Sequence, residues 1–127
     1  MLLAVNGTLM RGCELNPNMQ AAGAKFVRQT KTAPIYRCWS IDDGYVGMLR
    51  DPQAGAEITV ELWDVDSSGL VDILQKEPPG LTIGKVLLTD GREVLGVLAE
   101  PYAIAGNAEI THHGGWREYI DSRGEAV

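Results

Sequence analysis

Leu2-Leu3-Ala4-Val5-Asn6-Gly7-Thr8-Leu9-Met10-Arg11-Gly12 is the stretch that decides the fold. A short apolar run breaks at once into Asn-Gly-Thr-Leu. The run reads as a buried strand, about Leu2 to Asn6, and the break reads as a tight loop at its end. Gly7 admits backbone dihedrals closed to other residues, so consecutive N–H groups can turn toward one point. Such a loop can hold a carboxylate, or an oxygen gaining negative charge. An ordinary strand-to-loop turn has the same composition, so the choice between the two falls to the rest of the chain.

Moving outward, Asn18 to Ala22 reads as a short helix or turn that Gly23 ends. Lys25 to Thr30 reads as a strand bounded by Pro34. Ile35 to Ile41 is a second strand rich in β-formers. Asp42-Asp43-Gly44 is a turn signal, after which Tyr45 to Leu49 pairs back. Glu57 to Trp63 alternates cleanly, with Ile58, Val60 and Leu62 on one face and Thr59, Glu61 and Trp63 on the other. Ser67 or Ser68 caps a helix that carries Leu70, Ile73 and Leu74 on one stripe. Pro78-Pro79 stops that helix. Leu81 to Leu88 and Glu93 to Ala99 form a hairpin over Asp90-Gly91. Ile110 to Ile120 reads as a loop leading into a short helix. Strands outnumber helices, and turns recur at the spacing of a small barrel. The fold class is α+β, mostly β: a mixed barrel with one or two packed short helices and a pocket at one mouth.

The chain has 127 residues, read as one domain spanning 1–127, with 45% hydrophobic and 22% charged residues. That is ordinary globular composition with enough chain for a core. The net charge of -6 argues against nucleic acid or an anionic membrane as partner. No apolar run approaches the roughly 20 residues that cross a bilayer. The start lacks a leader pattern. Two well-separated cysteines, Cys13 and Cys38, fit a reducing compartment, so the expected location is the cytoplasm. His112-His113 does not read as a metal site, because adjacent side chains diverge and no further His or Cys pair stands nearby. No cofactor is expected.

Several segments together resemble the γ-glutamylcyclotransferase-like superfamily. Asn6-Gly7-Thr8-Leu9 matches its Tyr-Gly-Thr-Leu type motif, with Asn6 in place of the aromatic. Gly44-Tyr45-Val46-Gly47-Met48 matches its middle glycine-tyrosine element loosely. Val60-Glu61-Leu62-Trp63 fits the strand that follows, and Glu77 fits the glutamate near the end of the short helix. Within that superfamily the chain is most similar to the C-terminal domain of allophanate hydrolase. Strings that carry the likeness include Ala24-Lys25-Phe26-Val27-Arg28, Gly80-Leu81-x-Ile83-Gly84, Glu100-Pro101 and Gly114-Gly115-Trp116-Arg117-x-Tyr119. Asn16-Pro17-Asn18 stands where that domain commonly carries His. The amidase half of that hydrolase is absent, so the chain reads as a free-standing relative or a domain cut from a larger protein.

The resemblance implies a small-molecule enzyme. One activity it implies is decarboxylation of an N-carboxylated carbamate made by an amidase partner. A second is cyclisation of a γ-glutamyl amine to 5-oxoproline. A non-catalytic module supporting a separate amidase is the third reading. For the cyclisation, the substrate amine attacks its own carbonyl, so the protein must hold the folded geometry, shuttle a proton and cradle an oxyanion. Glu77 is the candidate acid/base. Glu61 is its rival if the Thr59/Trp63 face lines the pocket. Asn6, Gly7, Thr8, Leu9 and Met10 form the expected cradle, and Tyr45 and Trp63 are candidate pocket walls. The expected ligand is a small anionic or amide-containing metabolite.

Overall fold

A computed structural model describes residues 1–124. In chain order the elements are β1 (Leu2–Val5), α1 (Asn16–Ala21), β2 (Lys25–Lys31), β3 (Tyr36–Ile41), β4 (Tyr45–Arg50), β5 (Thr59–Asp64), α2 (Ser67–Lys76), β6 (Leu81–Leu87), β7 (Glu93–Ala99), α3 (Pro101–Ile104), β8 (Ala108–Glu109) and α4 (Trp116–Ser122). A 3-10 turn at Thr111–His113 precedes α4. The fold is α+β and mostly strand, as the sequence indicates.

The strands form two sheets, not one closed barrel. The larger has the order β2-β5-β1-β7-β6 and the smaller β4-β3-β8. The edge strands of the larger sheet meet only past their ends, through an isolated bridge between Thr32 and Leu88. Ala33 N–H donates to Leu87 O and Thr89 N–H to Lys31 O, both at 3.0 Å. Closure along the whole strands would need a ladder there, and none forms among the described residues.

β1 is the middle strand, antiparallel to β5 and parallel to β7. Leu3, Ala4 and Val5 are all buried, as an apolar run covered on both faces should be. The strand β5 departs from its alternating pattern: Thr59 through Trp63 are all buried, so neither face is wet. The Thr59/Glu61/Trp63 face is covered by α4 and by the chain following β1. Trp63 packs edge-on against Phe26, and Glu61 receives Arg11 and Arg117.

Tyr36 joins the two sheets. It is fully buried, and its hydroxyl oxygen accepts from Leu87 N–H at 2.8 Å and from Arg50 at 2.9 Å. The strands β4 and β7 also approach closely at Gly47, where an added Cβ would lie 3.0 Å from the Ala99 methyl.

The cap of α2 is Asp66 rather than Ser67 or Ser68. Its carboxylate accepts from Gly69 N–H at 2.7 Å and from Ser68 Oγ at 2.9 Å. A carboxylate satisfies an orphan N–H at the helix start and also favours its positive end. Ile73 is fully buried, whereas Leu74 turns toward solvent at 38% exposure, so the apolar stripe is narrower than the sequence suggests. The helix stops at Lys76. Glu77 is extended (φ -78°, ψ 151°), the conformation that a following proline imposes on its predecessor. α1 begins earlier than expected, at Asn16, with Pro17 in its first turn, where a proline is tolerated. Cys13 and Cys38 are both buried, free thiols.

Candidate functional site

The loop after β1 is folded by its own carbonyls. Gly7 O accepts from Met10 N–H at 3.0 Å, and Thr8 O from Leu15 N–H at 2.9 Å. Leu9 O accepts from Asn16 Nδ2 at 2.9 Å. The N–H groups of Gly7, Thr8 and Leu9, by contrast, have no protein acceptor among the described residues. Three neighbouring donors left open in this way suit an anion or a developing oxyanion.

These three residues line a narrow cleft whose free volume is about 10 Å³, room for about one water. Val5, Asn6, Val46, Leu81 and Val97 complete its floor and walls together with Tyr45 and Glu77. A roomier groove of about 280 Å³ adjoins it and shares Thr8, Tyr45 and Glu77, adding Glu14, Leu15, Gly44 and Pro78. Among the described residues, no lysine, arginine or histidine lines either space.

Gly7 is required here for closeness rather than for unusual dihedrals. It does not occupy the left-handed region, contrary to the sequence-based argument. An added Cβ would lie 2.6 Å from Val46 Cγ1, inside van der Waals contact. Only glycine lets the β1 loop lie against β4 at this point.

Glu77 is half-buried, and burial alone pushes its carboxyl up to about 7. Its side chain has no hydrogen bond or ion pair among the described residues. A carboxyl without a cation nearby keeps its proton to a higher pH. The Tyr45 phenol is also pushed up, first by burial and then by Asp42, Tyr102 and Glu77. It therefore stays a neutral hydrogen-bond donor.

The other sequence-derived candidates divide. Asn6 lines the cleft, but its amide nitrogen is committed to Val97 O at 3.0 Å, with Met48 Sδ at 3.6 Å. Met10 is fully buried in the core and does not line the cleft. Trp63 lies with Glu61, away from it. Glu61 is wholly buried: Arg11 N–H (2.9 Å) and Trp63 Nε1 (3.1 Å) donate to Oε1, and Arg11 Nε (3.1 Å) and Arg117 (3.5 Å) to Oε2. Two arginines and an indole occupy its oxygens.

His112 and His113 do not diverge. Their ring centroids are 4.2 Å apart, and His113 meets the Tyr119 ring edge-on. The tight turn brings both rings to one side of the chain. Among the described residues no group of three or more His, Cys, Asp or Glu is placed to hold a metal ion.

Sequence reading missed Asp43, Arg117 and Tyr119 as parts of the site's frame. Asp43 precedes Gly44-Tyr45 in the β3–β4 turn and has φ 54°. Its Oδ1 accepts from Tyr119 OH at 2.8 Å and Ser40 Oγ at 2.9 Å, which hold its carboxyl below the usual range. The string Trp116-Arg117-Glu118-Tyr119 reads as a helix start, but nothing in it tells which loops its side chains reach.

The model of the allophanate hydrolase C-terminal domain family matches residues 1–121. The urea amidolyase of Lachancea kluyveri is 27% identical over 94% of this chain, which corresponds to 7% of that protein. The chain thus spans about 7% of the length of the curated relatives it matches. A crystal structure of a uropathogenic E. coli-specific protein is 53% identical, with a TM-score of 0.93 and 94% of each chain covered. Kluyveromyces lactis allophanate hydrolase is 26% identical with a TM-score of 0.91, covering 96% of this chain and 21% of that one. An aig2-like protein from Mus musculus shares the fold at 22% identity and a TM-score of 0.60, over 83% of this chain and 79% of that one. No described helix is long and apolar enough to cross a membrane.

Proposed function

Because this chain belongs to the allophanate hydrolase C-terminal domain family, we propose that its cleft is a small-molecule site in which Glu77 transfers a proton. The substrate of first choice is an N-carboxylated carbamate supplied by an amidase. The amides of Gly7, Thr8 and Leu9 hold the carboxylate that is retained. As the other carboxyl group leaves as CO2, the electrons of the breaking C–N bond pass to nitrogen. Protonated Glu77 delivers a proton there, and carbamate departs. The observation that carries this reading is a carboxyl raised to about 7 by burial alone, on the same cleft as three open N–H donors. No metal or organic cofactor enters this scheme. The free, buried thiols support a reducing, cytoplasmic setting for it.

One observation favours cyclisation of a γ-glutamyl amine as a second reading. The adjoining groove gives a leaving amine somewhere to lie, with Glu14 and Glu77 on its walls. A group titrating near neutrality can also take a proton and return it, which that reaction needs.

The test supplies allophanate and an allophanate-hydrolysing amidase, with and without this chain, and follows CO2 release. A parallel arm incubates the chain alone with γ-glutamyl amines and looks for 5-oxoproline. Acceleration in the first arm supports decarboxylation, and product in the second supports cyclisation. Glu77→Gln should lower whichever rate is found by about 10²-fold or more. Silence in both arms overturns the catalytic reading and leaves an accessory module for the amidase.

A further inference from the structure

The two walls of the cleft come from distant parts of the chain. One is the loop Gly7–Leu9, and the other is the β3–β4 turn that delivers Gly44 and Tyr45. Neither is fastened only by its own strand. Both are tied to the same short helix, α4.

Arg117 reaches the first wall. Its guanidinium donates to Arg11 O, to Glu61 Oε2 at 3.5 Å and to Cys13 Sγ at 3.9 Å. Arg11 is held to the same Glu61 carboxylate through its backbone N–H and its Nε. Tyr119 reaches the second wall by donating to Asp43, the residue before Gly44, and Arg123 at the end of the same helix pairs with that carboxylate at 2.8 Å. The helix is itself docked on β5. Thr59 Oγ1 donates to Glu118 Oε2, and Thr59 N–H to Gly114 O, both at 2.8 Å. Gly114 (φ 91°) and Gly115 (φ 155°) turn the chain into α4 through backbone conformations that other residues rarely take.

We propose that α4 is the positioning strap of the cleft, with Arg117 setting the amide wall and Tyr119 the Tyr45 wall, so that their separation is fixed through one helix. This rests on the cleft being the functional site. The strap touches no bound molecule, so Arg117 and Tyr119 are positioning residues. It keeps water out of the space that Glu77 faces by holding Tyr45 against it. The titratable groups around that space are Tyr45 and Glu14 on its walls, with Asp42 and Tyr102 acting on Tyr45. With the strap cut, the walls part and Glu77 becomes hydrated.

The readout needs no turnover. The carboxyl carbon of Glu77 is titrated by NMR in the wild-type chain, in Tyr119→Phe, in Arg117→Lys and in the double variant. Amide hydrogen exchange is followed in parallel at Met10 and Leu15, whose N–H groups donate to Gly7 O and Thr8 O, and at Gly44–Tyr45. Tyr119→Phe should speed exchange at Gly44–Tyr45 and leave Met10 and Leu15 near wild type, and Arg117→Lys should do the reverse. In Tyr119→Phe the Glu77 midpoint should fall by about half a pH unit or more, because hydration favours the charged form. A purely structural role would lower thermal stability in both variants while leaving the midpoint and the wall-specific pattern unchanged, and that result overturns the proposal. If Arg117→Lys fails to fold, Tyr119→Phe decides alone. A displaced midpoint in a protein without turnover would sink the assigned reaction while leaving the strap intact.

Discussion

Arg11 donates to Glu61 twice, through its backbone N–H at 2.9 Å and its Nε at 3.1 Å. That pairing makes a fully buried carboxylate the fastening point for the chain just beyond the amide loop. Removing Glu61 leaves Arg11 and Arg117 without their partner, but their side chains are 48% and 25% exposed and water can take its place. Glu61→Ala should still lower the unfolding free energy by about 1–3 kcal/mol, because it orphans the buried Trp63 indole N–H. Urea unfolding measures this directly. A loss below about 1 kcal/mol would mean that Glu61 is not the anchor described here.

Glu77 predicts a pH dependence of opposite sign to that of a salt-bridged carboxylate. Its folded value is about 7 against an ordinary 4.5, so the folded state binds the proton more tightly than the unfolded chain. Between those two values the unfolded chain has already lost its proton. Stability then falls as pH rises through the window and is flat beyond it. At about 1.4 kcal/mol per unit the full shift corresponds to at most about 3.5 kcal/mol. The wild-type chain should lose up to that amount between pH 4.5 and 7 relative to Glu77→Gln. Parallel pH profiles for the two proteins would show that burial does not perturb Glu77.

Gly7 offers a test of close approach. In Gly7→Ala the new methyl meets Val46 Cγ1 at 2.6 Å, and the stiff, branched valine cannot swing away freely. Overpacking of this kind costs about 1–3 kcal/mol. Shortening the neighbour should relieve it, so the double change Gly7→Ala with Val46→Ala should cost less than the sum of the two single changes. A double-mutant cycle in urea reads this coupling. Strict additivity would remove the clash as the reason for glycine.

The sequence carried most of the elements because their signals are local. The apolar run Leu3-Ala4-Val5 marks a covered strand, Asp90-Gly91 turns the β6–β7 hairpin, and Pro78 both stops α2 and extends Glu77. What escaped is non-local. The alternation of Thr59, Glu61 and Trp63 specifies a strand, but whether that face is wet depends on Arg11 and Arg117, which arrive from the two ends of the chain. The same gap left Glu61 and Glu77 as rivals on sequence alone. Their separation into an ion-paired anchor and an unpaired cleft carboxyl follows from packing. Barrel closure failed for a similar reason: strand number and turn spacing do not reveal that β2 and β6 touch only past their ends.

Tyr36 shows how far one hydroxyl can hold the two sheets together. Its ring is fully buried under β3, and its oxygen is the acceptor for Leu87 N–H on β6. Tyr36→Phe keeps the ring and deletes that acceptor, leaving a backbone donor with no partner and Arg50 without one of its contacts. A buried orphan donor costs about 1–3 kcal/mol, whereas a lost surface hydrogen bond costs far less. The substitution should therefore destabilise by about 1–3 kcal/mol, and hydrogen exchange at Leu87 should quicken more than at Val86 or Leu88. Equal protection at all three positions would mean that β6 is held by its hairpin with β7 alone, and that the Tyr36 hydroxyl joins nothing.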